Sequence, residues 1–367
     1  MASGSFNNDR KKSGRSSSIE NKPTVTIGIP VLNEEQHIHR VVTGFLTSDY
    51  PNLVEILIAD GGSTDNTREV VKSLSEEDSR VKLIDNPDRY QSHGLNRMIE
   101  EASGDVFLRA DGHCIYQDDY LQKSVETLLK TNAKNVGGAQ RYVAETPVQA
   151  GIAISVKSLL GSGGAKYMDE NYEGYADTVF LGCFWTEDLR EVDGFNTDNI
   201  TNQDSELNLR LYEYFGRSIY VSPEIKSWYY PRDSYSGLFR QYFRYGRGRF
   251  LTKTLHPESS PVRGLIPFLF ICFFMIYGVM DLFTESSLYF PTVALLLGVF
   301  FMVESFRVVF RTDHKFKKET WQSDHKAPGM ISRWIHVIVS LVIMQVAHFS
   351  GFSFQLFKKV LFGKKGW

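Results

Sequence analysis

Apolar positions follow one pattern in the first two thirds of the chain and another in the last third. From Thr24 to Ser222, short apolar runs of strand length alternate with stretches in which apolar residues recur at helical spacing. For example, VTIGIPVLN precedes EEQHIHRVVTGFLT, and VEILIAD precedes GGSTDNTREVVKSL. Such repeated strand and helix units predict an α/β domain whose sheet is largely parallel and is covered by helices on both faces.

The last third contains three long apolar segments, at residues 265–283, 288–310 and 334–357. Each approaches or exceeds the roughly 20 residues that cross a bilayer as a helix. The first two are predicted to span the membrane. The third is also long enough, but it is interrupted by polar residues and is predicted to span, to re-enter or to lie along the interface.

Charges in the connecting loops predict the orientation of the chain. TESS, between the first two apolar segments, has no positive charge, whereas the loop after the second segment is strongly basic. This difference predicts a multi-pass protein of the cell membrane with a cytoplasmic N-terminal domain. The basic C-terminus conflicts with a simple three-span topology, which would place it outside.

Charge balance and cysteine content narrow the class of protein. The chain has 41 basic and 43 acidic residues, so no global positive field favours nucleic acid as a partner. Its 3 cysteines are far apart and predict neither a disulfide framework nor a zinc site. Residues 1–23 are polar, Ser-rich and basic without an apolar signal region, which predicts a disordered, cytosol-facing tail.

Polar residues stand at the predicted strand ends, where ligands of such sheets bind. These residues are Asn33, Glu34, Asp60, Asp85 and Asp111. Carboxylates around one crevice repel one another unless a cation or hydrogen-bond donors compensate them, and a phosphate-rich ligand bridged by a divalent metal provides both. The sequence has no dinucleotide fingerprint and no Walker A motif. The Gly-rich stretch at residues 161–167 follows no strand and is predicted to be a loop, either over the site or simply connecting.

A basic amphipathic helix is predicted in LFRQYFRYGRGRFLTK. Apolar side chains at helical spacing are interleaved there with four arginines, Arg240, Arg244, Arg247 and Arg249. This composition is typical of a helix that lies on a membrane surface.

Five motifs, in their order and spacing, resemble those of family 2 inverting glycosyltransferases of GT-A fold. The motifs are TIGIPVLNEE, EILIADGGSTDNT, LRADGH, NQDSELNLRL and QYFRYGRGR, and with the membrane helices they look like succinoglycan-type exopolysaccharide glycosyltransferases. The resemblance implies a GT-A domain with a mixed sheet at residues 24–233, an amphipathic interface region at 234–260 and a membrane domain at 261–367. It also implies a nucleotide diphosphate sugar donor, a divalent metal (Mn²⁺ or Mg²⁺), membrane lipid and a polyprenyl-linked saccharide acceptor.

The resemblance also implies roles for single residues by motif position. Those implied to contact the nucleotide sugar are Pro30, Asn33, Glu34, Asp60, Asp85, Arg109 and Asp111. Asp60 would accept hydrogen bonds from the nucleobase of the donor, or alternatively close an Asx turn. Asp111 and His113 stand where the family has Asp-x-Asp and are the implied metal ligands, and the alternative for His113 is a donor that faces the phosphates. An imidazole in place of a carboxylate favours Mn²⁺ over Mg²⁺.

Asp204 matches the family's catalytic base, which takes the proton of the acceptor hydroxyl as its oxygen attacks opposite the leaving group. The acidic residue that usually precedes this base is Gln203 here. The alternative role for Asp204 is to cap a helix N-terminus.

Gln241, Arg244 and Tyr245 resemble the Q-x-x-R-W motif of processive members, with Tyr in place of Trp. The resemblance implies that they contact the diphosphate and the acceptor, and the substitution predicts one sugar added per encounter. The alternative is a helix that only binds lipid. Trp185 stands where the family places acceptor-facing aromatic residues, and its alternative role is core packing.

The function expected from the resemblance is transfer of a sugar from a nucleotide diphosphate sugar, with UDP-glucose as the first guess, to a lipid-linked saccharide in exopolysaccharide or surface glycan biosynthesis. Two alternatives remain open. One is a sugar transferase that acts on polyprenyl phosphate itself. The other is a non-catalytic membrane subunit that binds nucleotide, which the departures at His113 and Gln203 favour.

Overall fold

The computed structural model describes residues 22–283, 289–363 and 366–367, so the predicted tail up to residue 21 and the TESS loop lie outside the described residues. The strands are β1 (Val25–Val31), β2 (Leu53–Asp60), β3 (Val81–Asp85), β4 (Val106–Arg109), β5 (Ile115–Tyr116), β6 (Asn135–Gly138), β7 (Gln140–Tyr142), β8 (Gly174–Tyr175), β9 (Phe180–Trp185), β10 (Ile219–Val221) and β11 (Ser227–Tyr229). The helices are α1 (Ile38–Leu46), α2 (Thr67–Glu77), α3 (Gln91–Glu101), α4 (Tyr120–Lys130), α5 (Pro147–Ser155), α6 (Leu159–Ser162), α7 (Thr186–Glu191), α8 (Gln203–Phe215), α9 (Tyr235–Leu255), α10 (Ile266–Asp281), α11 (Tyr289–Lys315) and α12 (Met330–Phe362).

An eight-stranded sheet with the order β3-β2-β1-β4-β9-β6-β10-β8 forms the centre of the N-terminal domain. β1 to β4 are parallel to one another, whereas β9 runs antiparallel between β4 and β6. Side chains of β2 alternate between two cores: Ile56 and Ile58 pack with α1, α2 and α4, whereas Leu57 and Ala59 pack with α3, α7 and α8. The prediction of a mixed α/β sheet covered on both faces is confirmed.

The last third of the chain forms three apolar helices. Within the described ranges, two are long and apolar enough to cross a membrane by length and composition, Tyr289–Thr320 and Met330–Phe362. α10 has 16 residues, which is about 24 Å of helix and less than the roughly 30 Å of a hydrocarbon core. The first predicted span is thus shorter than expected, and the third segment is a continuous helix of 33 residues.

α12 crosses α9 at small residues that let the two backbones approach closely. A Cβ atom added at Gly351 of α12 would lie 1.9 Å from the carbonyl oxygen of Phe243. One added at Gly246 of α9 would lie 2.1 Å from the carbonyl oxygen of His348. α9 therefore packs inside the protein along this line, rather than only lying on a membrane surface as the sequence predicted.

The polar residues that interrupt the apolar pattern of α12 face other parts of the protein. His336 Nδ1 lies 2.6 Å from the hydroxyl oxygen of Tyr235, at the start of α9. Gln345 donates a hydrogen bond to the carbonyl oxygen of Leu160, and His348 is buried. These contacts explain why a membrane-length helix carries polar side chains.

A polar pair within α11 also holds the N-terminal domain. Arg307 Nε lies 2.6 Å from Glu304 Oε2, and Glu304 accepts a hydrogen bond from the backbone N–H of Leu159 at 3.3 Å. The Gly-rich loop that continues from α6 is therefore fixed at its start to the apolar helices. In this loop, Gly163 and Gly164 have φ values of 61° and 72°, which favour glycine.

Candidate active site

The C-terminal ends of the parallel strands meet at one edge of the sheet. The register pairs Val31 with Asp60, Asp60 with Asp85, and Gly28 with Arg109. Ligands of open α/β sheets bind at this edge. The predicted residues that the structure brings together there are Asn33, Glu34, Asp60, Asp85, Arg109 and Asp111.

Asp60 and Asp85 are joined by an arginine that the sequence did not single out. The buried carboxylate of Asp60 accepts hydrogen bonds from the N–H groups of Gly62 and Ser63 and from Arg68 Nη1, the last at 2.8 Å. Burial opposes ionisation, but these bonds outweigh it and lower the pKa of Asp60. Arg68 Nη2 also binds Asp85, whose side chain is 78% exposed. The Asx turn considered for Asp60 is present, and Asp85 is the accessible carboxylate.

Asn33 supports the loop that follows β2. Its backbone has a positive φ of 58°, its Oδ1 accepts a hydrogen bond from Thr64 N–H at 2.8 Å, and its own N–H donates to Ser63 Oγ at 2.9 Å. Pro30 lies within β1, paired with Ala59. These contacts fix the shape of the crevice at β1 and β2.

Glu34 contacts His113 across the crevice. His113 Nδ1 lies 2.9 Å from Glu34 Oε1. Gly112 allows this approach, because a Cβ atom there would lie only 3.2 Å from the Glu34 side chain. Burial lowers the pKa of His113, but the hydrogen bond to Glu34 and the charge of Asp111 outweigh burial and raise it. An ionised carboxylate only accepts, so Nδ1–H donates to Glu34.

Asp111 and His113 would fit a divalent metal only as two protein ligands, with phosphate oxygens of a substrate completing the coordination. Within the described part of the chain, no group of three or more His, Cys, Asp or Glu side chains could hold an ion. Metal sites on phosphate substrates often use one or two protein ligands and complete the coordination with phosphate oxygens. Asp111 offers a carboxylate, and the bond of His113 Nδ1 to Glu34 leaves Nε2 available, which is a common arrangement of metal-binding histidines.

Asp204 lies in the first turn of α8 and pairs with the buried side chain of Arg109. The residue at the N-cap position is Asn202, so Asp204 does not cap the helix. Burial raises the pKa of Asp204, the neighbouring carboxylate of Asp111 adds to this, and Arg109 partly offsets it. Arg109 Nη2 also lies 3.6 Å from Asp111 Oδ1, so one arginine connects the candidate base with the candidate metal ligand.

A chain of two amides links Asp111 to Gln203, the residue directly before Asp204. Gln203 Nε2 lies 2.6 Å from Gln91 Oε1, and Gln91 Nε2 lies 3.4 Å from Asp111 Oδ1. Sequence reasoning missed Gln91, since its only signal was a position at the start of a predicted helix after a strand end. The glutamine that replaces the family's acidic residue is therefore part of the site.

α9 places Gln241 and Tyr245 together, with Gln241 Nε2 donating to the Tyr245 hydroxyl at 3.1 Å. Burial raises the pKa of Tyr245, and nearby tyrosines, among them Tyr229, add to this. The Tyr229 ring in turn lies 5.5 Å from His113. Arg244 is exposed on this helix, and no contact of its side chain with the carboxylates of the crevice is present within the described residues.

Trp185 is not brought to the candidate site. β9 runs antiparallel to β4, so Trp185 pairs with Val106 at the start of β4, whereas Gly182 pairs with Arg109. The three positions between Gly182 and Trp185 correspond to about 10 Å along the strand. Trp185 packs against the core of the domain, which corrects the prediction of an acceptor contact in favour of core packing.

The mixed sheet with helices on both faces is the fold of GT-A glycosyltransferases. The chain belongs to glycosyl transferase family 2, whose family model matches residues 26–186. Succinoglycan biosynthesis protein ExoA of Rhizobium meliloti (strain 1021) is 37% identical over 243 residues, which are 66% of this chain and 73% of that protein.

Two further comparisons extend this likeness. Dolichyl N-acetyl-alpha-D-glucosaminyl phosphate 3-beta-D-2,3-diacetamido-2,3-dideoxy-beta-D-glucuronosyltransferase of Methanococcus voltae is 33% identical over 236 residues, 62% of this chain and 73% of that protein. Mannosyltransferase PcManGT from Pyrobaculum calidifontis, solved in complex with GDP-Man and Mn²⁺, shares the fold with a TM-score of 0.55 and 16% identity, over 93% of this chain and 89% of that one.

Proposed function

We propose that this glycosyltransferase is anchored in a membrane and transfers a sugar, with inversion, from a nucleotide diphosphate sugar to a lipid-linked saccharide during polysaccharide or surface glycan biosynthesis. The observation that carries the proposal is the position of Asp204. It stands at the ligand-binding edge of the sheet, beside a helix that packs on the membrane-length α12. The names of the relatives from Rhizobium meliloti and Methanococcus voltae, which refer to succinoglycan and to a dolichyl phosphate sugar, support the acceptor class.

The donor is proposed to bind along the ends of β1 to β4. Asp85 is exposed and held by Arg68, so it is suited to accept hydrogen bonds from the nucleobase of the donor. Asp60 orients Arg68 and the loop after β2. Asp111 and His113 would hold a divalent ion, which when bound neutralises charge on the diphosphate. UDP-glucose is the first donor to test.

Asp204 is proposed to take the proton of the acceptor hydroxyl. The raised pKa of its carboxylate makes it a better base than a solvent-exposed aspartate. Arg109 orients the carboxylate towards the crevice, and Gln241 and Tyr245 are proposed to contact the acceptor sugar. Inversion needs one base and no covalent nucleophile.

Release of nucleoside diphosphate from a panel of activated sugars, with Mn²⁺ and lipid-linked acceptors, tests this proposal. Asp204→Asn is expected to lower turnover by about 10²–10⁴-fold while donor binding is retained. Asp198→Asn, which changes an exposed carboxylate in the loop before α8, is the matched control and should remain fully active. Wild-type turnover in Asp204→Asn would contradict the assigned base.

Acceptor screening separates the competing classes. Labelled sugar on bare polyprenyl phosphate would replace the saccharide acceptor with the phosphate itself. Metal-dependent nucleotide binding without turnover across all donors and acceptors would instead indicate a non-catalytic subunit.

A further inference from the structure

Two arginines of α9, Arg247 and Arg249, are partly buried, and they differ in their contacts with the described residues. Arg249 is partly buried and forms no hydrogen bond or ion pair with the described residues. By contrast, Arg247 on the same helix lies 3.0 Å from Gln355 Oε1 and stacks on Trp367. Burial, together with the positive charge of Arg263, lowers the pKa of Arg249. Tyr167 and Asp177 act in the opposite direction but do not outweigh these two effects. A partly buried cation without a paired counter-ion is costly for stability, which favours a role in binding an anion.

The groups around Arg249 include a free hydroxyl. A Cβ atom added at Gly264 would lie 3.1 Å from Arg249 Cδ, and one added at Gly163 of the Gly-rich loop would lie 3.6 Å from Arg263 Cβ, so this loop, Arg263 and Arg249 lie together. Tyr167, in the same loop, interacts electrostatically with Arg249, Arg263 and Asp177, and also with Asp204. Its hydroxyl makes no hydrogen bond with any residue that the structure describes. Asp177 pairs with Arg263 and compensates that charge. The charge of Arg249 is therefore left without a paired carboxylate among the described residues, beside the loop that carries the Tyr167 hydroxyl.

An exposed apolar surface begins next to this cluster. Arg263 belongs to the short helical turn Val262–Gly264, directly before α10. Val262 is 64% exposed and Ile266, the first residue of α10, is 56% exposed. Proceeding from Asp204, the protein thus offers a proton acceptor, then a cation with a hydroxyl, and then an apolar surface.

This order matches a lipid-linked saccharide rather than the donor. Such an acceptor has a reactive hydroxyl at one end, an anionic phosphate link and an apolar chain at the other end. The arginine within electrostatic range of His113, on the donor side, is Arg232. The charged and phenolic groups that act on Arg249 are instead Tyr167, Arg263, Asp177 and Tyr245.

We propose that Arg249, with Arg263 and Tyr167, binds the phosphate group that links the acceptor saccharide to its lipid. A guanidinium binds phosphate oxygens with two parallel hydrogen bonds, and a tyrosine hydroxyl adds a third donor. The assignment rests on the proposed function in one respect, namely that the acceptor is lipid-linked. It adds a site that holds the acceptor at the end opposite to Asp204.

Equilibrium binding of farnesyl diphosphate to the detergent-solubilised full chain, without metal or donor, tests the site. We expect Arg249→Gln to weaken binding by tenfold or more and Arg249→Lys to weaken it less, because a lysine keeps the charge but loses the planar pair of donors. Arg240→Gln, which removes the same charge from an exposed position of α9, is the control and should bind like the wild type. Farnesol should bind weakly and equally to all four proteins.

Unchanged affinity for farnesyl diphosphate in Arg249→Gln would overturn the proposal. The proposal would also be overturned if Arg249→Gln bound UDP with Mn²⁺ more weakly than the wild type but bound farnesyl diphosphate equally well. The donor, rather than the acceptor, would then occupy the site. The thermal unfolding temperature of Arg249→Gln should not be lower than that of Arg240→Gln, because Arg249 loses no protein partner. If it is lower, Arg249→Lys decides instead: an affinity for farnesyl diphosphate equal to that of the wild type would then overturn the proposal.

The two proposals fail in different ways. If no lipid-linked saccharide is glycosylated while farnesyl diphosphate still requires Arg249, the proposed function is wrong and the phosphate site stands. If transfer occurs but Arg249→Gln leaves the KM of the lipid-linked acceptor unchanged, the phosphate site is wrong and the proposed function stands.

Discussion

Replacing Gly351 by alanine tests whether a membrane-length helix sets the geometry of the active site. The new Cβ atom would lie 1.9 Å from the carbonyl oxygen of Phe243. A close carbon–oxygen contact is about 3.3 Å, so α12 and α9 must separate by about 1.4 Å at this point. The three atoms nearest to the new Cβ, the carbonyl oxygen, carbonyl carbon and Cα of Phe243, all belong to the backbone of α9, so no side-chain rotation relieves the overlap.

The displacement should reach the candidate base through α9. Thr201 Oγ1 donates to the carbonyl oxygen of Arg244 at 2.9 Å, and Asn202 Nδ2 lies 2.7 Å from Thr252 Oγ1. These bonds tie α9 to the residues directly before Asp204. Overpacking of this kind costs about 1–3 kcal/mol of stability, and a misplacement of about 1 Å in an active site can cost about 100-fold in rate.

We therefore expect Gly351→Ala to lower turnover by about two orders of magnitude in purified, membrane-reconstituted protein. Gly298→Ala is the matched control, because Gly298 lies in another apolar helix and a Cβ atom there would meet nothing within 4 Å. The measurements are nucleoside diphosphate release and thermal unfolding of both variants. Equal turnover of Gly351→Ala and Gly298→Ala, with both folded, would refute the claim that α12 positions α9.

Three further predictions concern charges. His113→Asp should lower the ratio of Mn²⁺-supported to Mg²⁺-supported activity, because a carboxylate replaces an imidazole; an unchanged ratio would exclude the imidazole as a ligand. His256 Nε2 lies 3.1 Å from Glu206 Oε1; this bond and a second glutamate raise its pKa from 6.5 against the effect of burial. The difference in free energy of unfolding between wild type and His256→Gln should thus be largest below about pH 6.5 and shrink as the pH rises further. A difference in unfolding temperature that stays constant across this pH range would contradict this prediction. Burial opposes ionisation of Glu55, but bonds from Lys82 and neighbouring hydroxyl and amide groups lower its pKa from 4.5 to about 2. The ionised Glu55 carboxylate should stabilise the fold above pH 4.5, and this contribution to the free energy of unfolding should be lost as the pH falls towards 2. The stability of Glu55→Gln, measured by acid unfolding, should lack this part of the pH dependence.

The strands and helices of the N-terminal domain follow from the sequence because apolar spacing there is regular. β1 to β4 and α1 to α4 lie where the pattern placed them, and the parallel arrangement of these strands was sufficient to gather Asp60, Asp85 and Asp111 at one edge. The direction of β9 did not follow, since an apolar strand has the same local pattern in either direction. That reversal is why Trp185 lies far from the site.

The pairing of charged side chains could not be predicted, because it depends on contacts between residues far apart in sequence. Nothing near Arg109 indicates that it binds Asp204, which lies 95 residues further on. The same holds for Glu34 and His113, which are 79 residues apart. The polar residues of α12 were visible in the sequence, but their partners on α6 and α9 were needed to explain them.

The packing of α12 against α9 has a consequence for biosynthesis. α12 follows every other described helix in the chain, and a ribosome delivers it after the strands that carry the candidate site have emerged and can begin to fold. α9 then lacks its supporting surface until α12 has been made and packs against it. Under the function proposed above, catalytic competence would accordingly arise only after this last described helix has packed against α9, so the chain would stay inactive until its apolar segments are in place.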